Sequence, residues 1–216
     1  EYMKAFDMAL FLSADDADVR EAVAEGFPAG CVLPLMIPEP GDGTAAEATH
    51  VHESGEELRV AFDFDGVLAG DSAERVFREA QVSDPANALE KNNEHEADLA
   101  NRPIEEGPLK RLLEGINILQ NAAREYRGGQ SRRPRPPNLR VALVTARSGK
   151  AQKRAVNTLE DWGLTVDDAF FLGGLNSAFL NRMQPDIFFD DQMGNLDRYT
   201  LSIPSVHIPF GAHNGE

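Results

Sequence analysis

The stretch LRVAFDFDGVL, residues 58–68, constrains this chain more than any other. An apolar run delivers Asp63 and Asp65, two positions apart, into a turn that contains Gly66. Successive strand residues face opposite sides, so the two carboxylates project the same way if strand geometry persists. Gly66 lets the backbone turn sharply without a Cβ clash. With 36 Asp and Glu residues in 216, an acidic surface turn could contain the same pair. The apolar run before it and the Gly-Val-Leu after it point instead to a strand end. Carboxylates at the C-terminal edge of a parallel sheet suit Mg²⁺-assisted phosphoryl transfer.

A second apolar run, VALVTARS at 141–148, ends in Thr145. Its hydroxyl and the neighbouring amides can hold a phosphate oxygen at the start of the next helix, or Thr145 can simply cap that helix. Arg147 and Lys150 sit beside it. Cations at a helix start oppose the macrodipole, and an anion there would relieve that cost. A third run, IFFDDQ at 187–192, ends in Asp190 and Asp191. Burying these near Asp63 and Asp65 is costly unless a cation neutralises them, so the motifs together imply Mg²⁺.

Strand and helix periodicity alternate around these sites. Strands are expected at 9–12, 30–35, 58–64, 139–145, 169–172, 187–190 and 206–208. Helices are expected from the Ser13/Asp15/Asp16 cap to Gly26, then at 72–80, 150–162 and 176–183. A wholly helical stretch at 85–126 should break near Pro103 and Pro108. This alternation means βαβ crossovers, an α/β fold with a parallel sheet flanked by helices. The expected organisation is a β-α-β segment at 1–37 joining the sheet, a polar linker at 38–57, and a core at 58–71 and 139–216. A helical cap insertion at 72–126 follows the first catalytic strand, and an exposed Arg/Pro-rich loop occupies 127–138. A weak internal similarity links MKAFDMALFLS (3–13) and CVLP (31–34) to MQPDIFFD (183–190) and VHIP (206–209), each an apolar strand, an acidic turn, a helix-length span and a short strand ending in proline. Either any two such units look alike, or one ancestor was duplicated.

The net charge of −15 argues against a nucleic-acid polymer as partner and against anionic membranes, while a small phosphorylated substrate remains compatible. One cysteine, Cys31, excludes an intrachain disulfide and reads as a small core residue. The chain reads as cytoplasmic, and its composition leaves a homo-oligomer open. His50 and His52 read as solvated linker, His95 as surface helix, with contact to a base or ribose as the alternative, and Trp162 as core.

LVTARS (143–148), TLEDWG (158–163), FLGG (171–174) and IFFDDQ, in this order after the first Asp pair, resemble the cytosolic 5′-nucleotidase type I family, within the haloacid dehalogenase-like phosphatases. The resemblance spans roughly 4–191. It implies that fold with its cap, and Mg²⁺-dependent removal of phosphate from nucleoside 5′-monophosphates such as AMP. Full-length relatives carry a further N-terminal half. Carried across, Asp63 is the nucleophile and a metal ligand. Asp65 is the acid and base, with its carbonyl on the metal. Thr145 and the Ala146 amide hold the phosphate, and Asp191 ligates the metal with Asp190 in support. Two positions depart from the family pattern: FDFDGV replaces FDGDAV at 62–67, and Asn176-Ser177-Ala178 stand where a phosphate-clamping lysine is expected. Lys150, or less readily Arg182, would then supply the charge, with Arg147 beside it. The other readings are a phosphatase of another small metabolite and a catalytically weakened nucleotide-binding module.

Overall fold

Seven strands form one sheet in the order β1-β2-β7-β6-β3-β4-β5. They are β1 (Phe11–Ser13), β2 (Ala29–Val32), β3 (Glu57–Phe62), β4 (Asn138–Thr145), β5 (Asp168–Phe171), β6 (Ile187–Asp190) and β7 (Ser205–His207). The helices are α1 (Tyr2–Ala5), α2 (Asp16–Ala24), α3 (Ser72–Ser83), α4 (Ala88–Asp98), α5 (Lys110–Gly128), α6 (Gln152–Asp161) and α7 (Ser177–Met183). This computed structural model describes residues 2–35, 57–128, 138–147, 149–174, 177–212 and 214, with backbone only for Tyr2, Arg127, Gly128 and Lys150. The expected 38–57 linker up to residue 56, with His50 and His52, lies outside the described residues, as does 129–137 of the Arg/Pro-rich loop.

The central strands read as continuous apolar runs because helices cover both faces. Alternate residues feed two cores. Phe62, Val141 and Leu143 pack with Leu109, Leu113, Ile116, Ala155 and Leu159 on one side. Ala61, Ala142, Val144 and Phe188 pack with Leu180, Leu196, Leu201 and Ile203 on the other. Helix α6 supplies its face through Arg154, Ala155, Thr158 and Leu159, a spacing of three and four residues. Trp162, at its end, packs against the first core, 6.4 Å from Phe64. Cys31 is buried, as a small core residue should be.

The mixed α/β architecture agrees with the expected haloacid dehalogenase-like fold, and the sheet is parallel except where β2 meets β7. There Cys31 lies opposite His207 and Val32 opposite Val206. On one side of this seam β1 runs parallel to β2, and on the other β6 runs parallel to β7. CVLP and VHIP thus sit on adjacent, oppositely directed strands, each beside a parallel partner. The two strand pairs differ in the connection: α2 joins β1 to β2, whereas turns join β6 to β7.

The segment expected to be helical between 85 and 126 breaks where its prolines stand. A 3-10 turn (Pro85–Asn87) leads into α4, irregular backbone follows, and α5 begins at Lys110. Only α3 and α4 of the expected insertion line the cleft. Helix α5 instead joins the core: Asn117 donates to the Thr165 carbonyl, and Gln120 to the Leu139 carbonyl and Asp167. The irregular segment pairs with the turn after Asp63. Gly70 donates to Glu105, Gly107 to Leu68 and Leu109 to Val67. Gly107 is confined to glycine here, since a Cβ would lie 2.6 Å from the Ala69 carbonyl oxygen.

Candidate active site

The register of three adjacent strands builds the floor of a cleft. Phe62 pairs with Phe189 and with Leu143, and the Asp63 amide extends the ladder by donating to the Phe189 carbonyl at 2.9 Å. Asp63 therefore lies beside the end of β6, where Asp190 and Asp191 follow. One ligand oxygen from each of Asp63, Asp190 and Asp191 lies within 4.8 Å of the others, and all three residues are buried. Thr145, 1% exposed at the end of β4, lines the same cleft with Asp63, Asp65, Ala146, Arg147 and Gly173. The cleft has a volume of about 210 Å³.

The turn at Gly66 permits this convergence. Its φ is +75°, in the left-handed region, and a Cβ there would lie 2.5 Å from the Asp191 carboxyl carbon. The sequence pointed to a tight turn; the structure adds that the missing side chain makes room for Asp191.

The three buried carboxylates hold their protons tightly. Desolvation, then repulsion from Asp190, Asp65 and Asp191, pushes the Asp63 carboxyl well above the usual range. Desolvation and the charges of Asp190 and Asp65 push Asp191 up to about 8. Asp190 is also raised by desolvation, against the hydrogen bonds it accepts from the Gln192 amide (2.7 Å) and the Asn195 side chain. Asp63 Oδ1 and Asp191 Oδ1 are buried without any hydrogen-bond partner. Buried carboxylate oxygens in native proteins are almost always paired. This donor set of hard oxygens, two of them unsatisfied, fits a divalent cation that prefers oxygen ligands. Asp190, by contrast, is satisfied by its donors, the Gln192 amide and the Asn195 side chain.

The Asp65 carboxylate does not join this cluster. Strand geometry ends at Phe62, so the expected alternation is lost, and the turn sends the Asp65 carboxylate to Arg147. Arg147 Nε and Nη2 grip its two oxygens at 2.6 and 2.7 Å. The remaining Arg147 nitrogen bonds to Glu96 and, at 3.1 Å, to the Ala151 carbonyl. The guanidinium also stacks 5.4 Å over Phe64. Arg147, expected to face phosphate, is instead committed to two carboxylates. A buried carboxylate without a cation costs several kcal/mol, so these acids outcompete an open cleft for the guanidinium.

Glu96 was missed. It is completely buried on α4 and binds Arg147 through one oxygen and Arg154 Nη1 through the other, at 2.8 Å. In sequence it lies within Asn92-Asn-Glu-His-Glu96, which looks like a solvated helix. Its only signal was its place on one helical stripe with Leu89, Asn92 and Asn93. His207 and Asn214 were missed as well. Both contact the Asp191 carbonyl, His207 Nε2 at 3.1 Å and Asn214 Nδ2 at 2.9 Å, and they fix the backbone beneath the acidic cluster. Burial holds the His207 imidazole below its ordinary pKa.

The Lys150 side chain, Ser148 and Asn176 lie outside the described residues, whereas Ser177 opens α7. Arg182, in the last turn of α7, is not among the residues that line the cleft.

A parallel α/β sheet whose neighbouring strand ends gather buried carboxylates and a threonine below two helices is an arrangement that suits phosphoryl-transfer chemistry. Sequence comparison narrows this class: the profile of the 5′-nucleotidase family matches residues 1–215, and the chain belongs to that family. It is similar to cytosolic 5′-nucleotidase 1B of Homo sapiens, 33% identical over 198 residues. That alignment covers 91% of this chain and 28% of the human protein, so the chain spans little over a quarter of that relative's length. No solved structure matches the chain significantly. Among the described residues, no helix is long and apolar enough to cross a membrane.

Proposed function

We propose that this chain hydrolyses nucleoside 5′-monophosphates, with Mg²⁺ and through an aspartyl-phosphate on Asp63. The observation that carries the reading is the pair of buried, unpartnered oxygens on Asp63 and Asp191 beside Thr145, in a chain of the 5′-nucleotidase family. Asp63 and Asp191 would hold the metal with Asp190 behind them. The cation would let these carboxylates ionise together and would draw charge from the phosphoryl group.

The residues then divide the work. The phosphate sits against the Thr145 hydroxyl and the Ala146 amide. A carboxylate oxygen of Asp63 attacks phosphorus, the bond from phosphorus to the 5′ oxygen breaks, and Asp65 gives that oxygen a proton. Asp65 next takes a proton from water as the water attacks the aspartyl-phosphate, which frees inorganic phosphate and restores Asp63. Asp65 can do so only by loosening at least one bond of its fork with Arg147. Lys150 is the expected phosphate cation, since Arg147 is already held by Asp65 and Glu96.

Phosphate release from AMP, other nucleoside monophosphates and sugar phosphates, measured with and without Mg²⁺, tests this. Turnover of nucleotides that needs the metal and vanishes in Asp63→Asn is expected. Turnover of sugar phosphates alone would replace the nucleotide reading. Ser177, where the family pattern leads one to expect lysine, favours a second reading, a nucleotide-binding module with weakened catalysis. Nucleotide binding without turnover, with activity restored by Ser177→Lys, would establish it. Under the leading reading, Lys150→Met lowers kcat/KM by roughly tenfold or more, the scale of one charge-assisted contact.

A further inference from the structure

The roof of the cleft differs chemically from its floor. The floor carries Asp63, Asp65 and Thr145, whereas α3 contributes Ala73, Phe77 and one acid, Glu74, to the roof and α4 contributes Leu89, Asn92 and Asn93. Asn92 Oδ1 is buried and has no hydrogen-bond partner. It lies outside the acidic cluster, and no step of the proposed chemistry uses it. Buried side-chain acceptors are nearly always satisfied. An unsatisfied one in the wall of a ligand cleft fits a donor that arrives with the ligand.

The floor fixes the direction in which a substrate must lie. Asp191 lies against Gly66 on the side of the acidic cluster, and α3 and α4 line the cleft that Thr145 opens into, so a phosphate beside Thr145 sends the rest of its ester toward α3 and α4. Phe77 offers a flat apolar surface there. Leu89 and Asn93 also line an adjoining open hollow of about 470 Å³, which gives space for a ring system beyond the cleft. Leu89, Asn92, Asn93 and Glu96 fall on one stripe of α4, with Glu96 locked to Arg147 and Arg154 at its far end. The ion pairs thereby fix the rotation of the helix that presents Asn92. His95 falls off this stripe and does not line the cleft.

We propose that Phe77 and Asn92 form a nucleobase subsite: Phe77 covers the face of the base, and Asn92 Oδ1 accepts an N–H from its edge. The inference rests on the nucleotidase reading and adds to it the recognition of the base. The ligand class is a nucleoside 5′-monophosphate whose base presents an N–H on its Watson–Crick edge, as adenine does through its amino group.

Equilibrium binding to an Asp63→Asn chain, which cannot turn substrate over, tests the subsite apart from catalysis. AMP is compared with purine riboside 5′-monophosphate, which has the same ring without the amino group. AMP should bind roughly tenfold more tightly, the scale of one buried hydrogen bond. Asn92→Ala should remove that preference and leave the affinity for the purine riboside compound within about twofold, because that ligand makes no such bond. Asn92→Asp keeps the acceptor and should keep the preference, while Phe77→Ala should weaken both ligands alike. Absence of AMP binding, no preference in the Asp63→Asn chain, or a preference that survives Asn92→Ala overturns the subsite. Failure of the otherwise unaltered chain to release phosphate from any nucleotide would overturn the nucleotidase reading instead, and the binding comparison would still decide the role of Asn92.

Discussion

Asp15 and Asp16 follow β1 much as Asp190 and Asp191 stand at the end of β6, and the two strands occupy corresponding places about the β2–β7 seam. Asp15 is exposed and accepts a hydrogen bond from the Ala17 amide at 2.9 Å, capping α2. Asp16 pairs with Arg20 one helical turn on, at the surface. Asp190 and Asp191, by contrast, are buried 0% and 3% exposed, with Asp63 brought beside them by β3. The first pair has solvent, a helix start and an arginine. The second lies against a third carboxylate and has two oxygens, one on Asp191 and one on Asp63, without a partner. The dipeptide is the same, and the neighbouring strand decides its chemistry.

Substitution of each pair should separate them most sharply in activity. Asp191→Asn is expected to lower kcat at least about 100-fold, roughly 2.7 kcal/mol of barrier, while Asp16→Asn stays within about twofold. Equal effects on steady-state phosphate release would break the comparison.

Stability against pH gives the next largest effect. In the metal-free chain Asp191 is pushed up to about 8, above the ordinary aspartate value of about 3.9. A raised folded-state pKa contributes stability that is fully present below the unfolded value and lost as pH rises through the folded value. Wild type should therefore lose melting temperature relative to Asp191→Asn between about pH 4 and pH 8 in a chelator. The paired difference matters because His207, whose folded pKa is lowered, works in the opposite sense: its contribution is lost as pH falls. Mg²⁺ should raise the wild-type melting temperature more at pH 8 than at pH 5, and should do little for Asp191→Asn. A flat difference across this range would sink the account of an acidic cluster awaiting a cation.

Asp190→Asn should sharpen the contrast further. Removing one charge from the cluster should raise the metal-free melting temperature while weakening Mg²⁺ binding, so calorimetry and thermal melts move in opposite directions. The smallest effect belongs to the exposed pair. Asp15→Ala should cost about 1 kcal/mol through the lost cap, and Asp16→Asn about 0.5 kcal/mol or less, with activity unchanged.

How much was legible follows from the range of the interactions. The strand ends could be read because an apolar run with both faces covered must stop where a carboxylate or threonine begins, which located Asp63, Thr145 and Asp190. The seam was half legible: CVLP and VHIP look alike, but nothing in either states that β2 and β7 run antiparallel. The partner of the Asp65 carboxylate was not legible, because the twofold alternation holds only within the strand and the left-handed turn at Gly66 begins at once. Glu96, Arg147 and Arg154 could not be paired in advance, since their partners lie more than fifty residues apart: Glu96 reads locally as surface charge, and Arg147 as a cation facing phosphate. The prolines at 103 and 108 marked the end of helical structure after α4, but not that α5 would leave the roof and join the core.

The Glu96 fork also bears on modularity. Helical roofs on folds of this kind invite exchange, one specificity traded for another by moving the segment between two loops. Here the roof carries an anion whose two counterions, Arg147 and Arg154, remain in the body of the protein. A transplanted roof without an acid at position 96 would leave two guanidiniums short of a partner, and breaking a buried pair costs about 3–5 kcal/mol. A chimera therefore has to inherit the acid together with the helix. Residue 96 acts as a compatibility key between parts that otherwise look interchangeable.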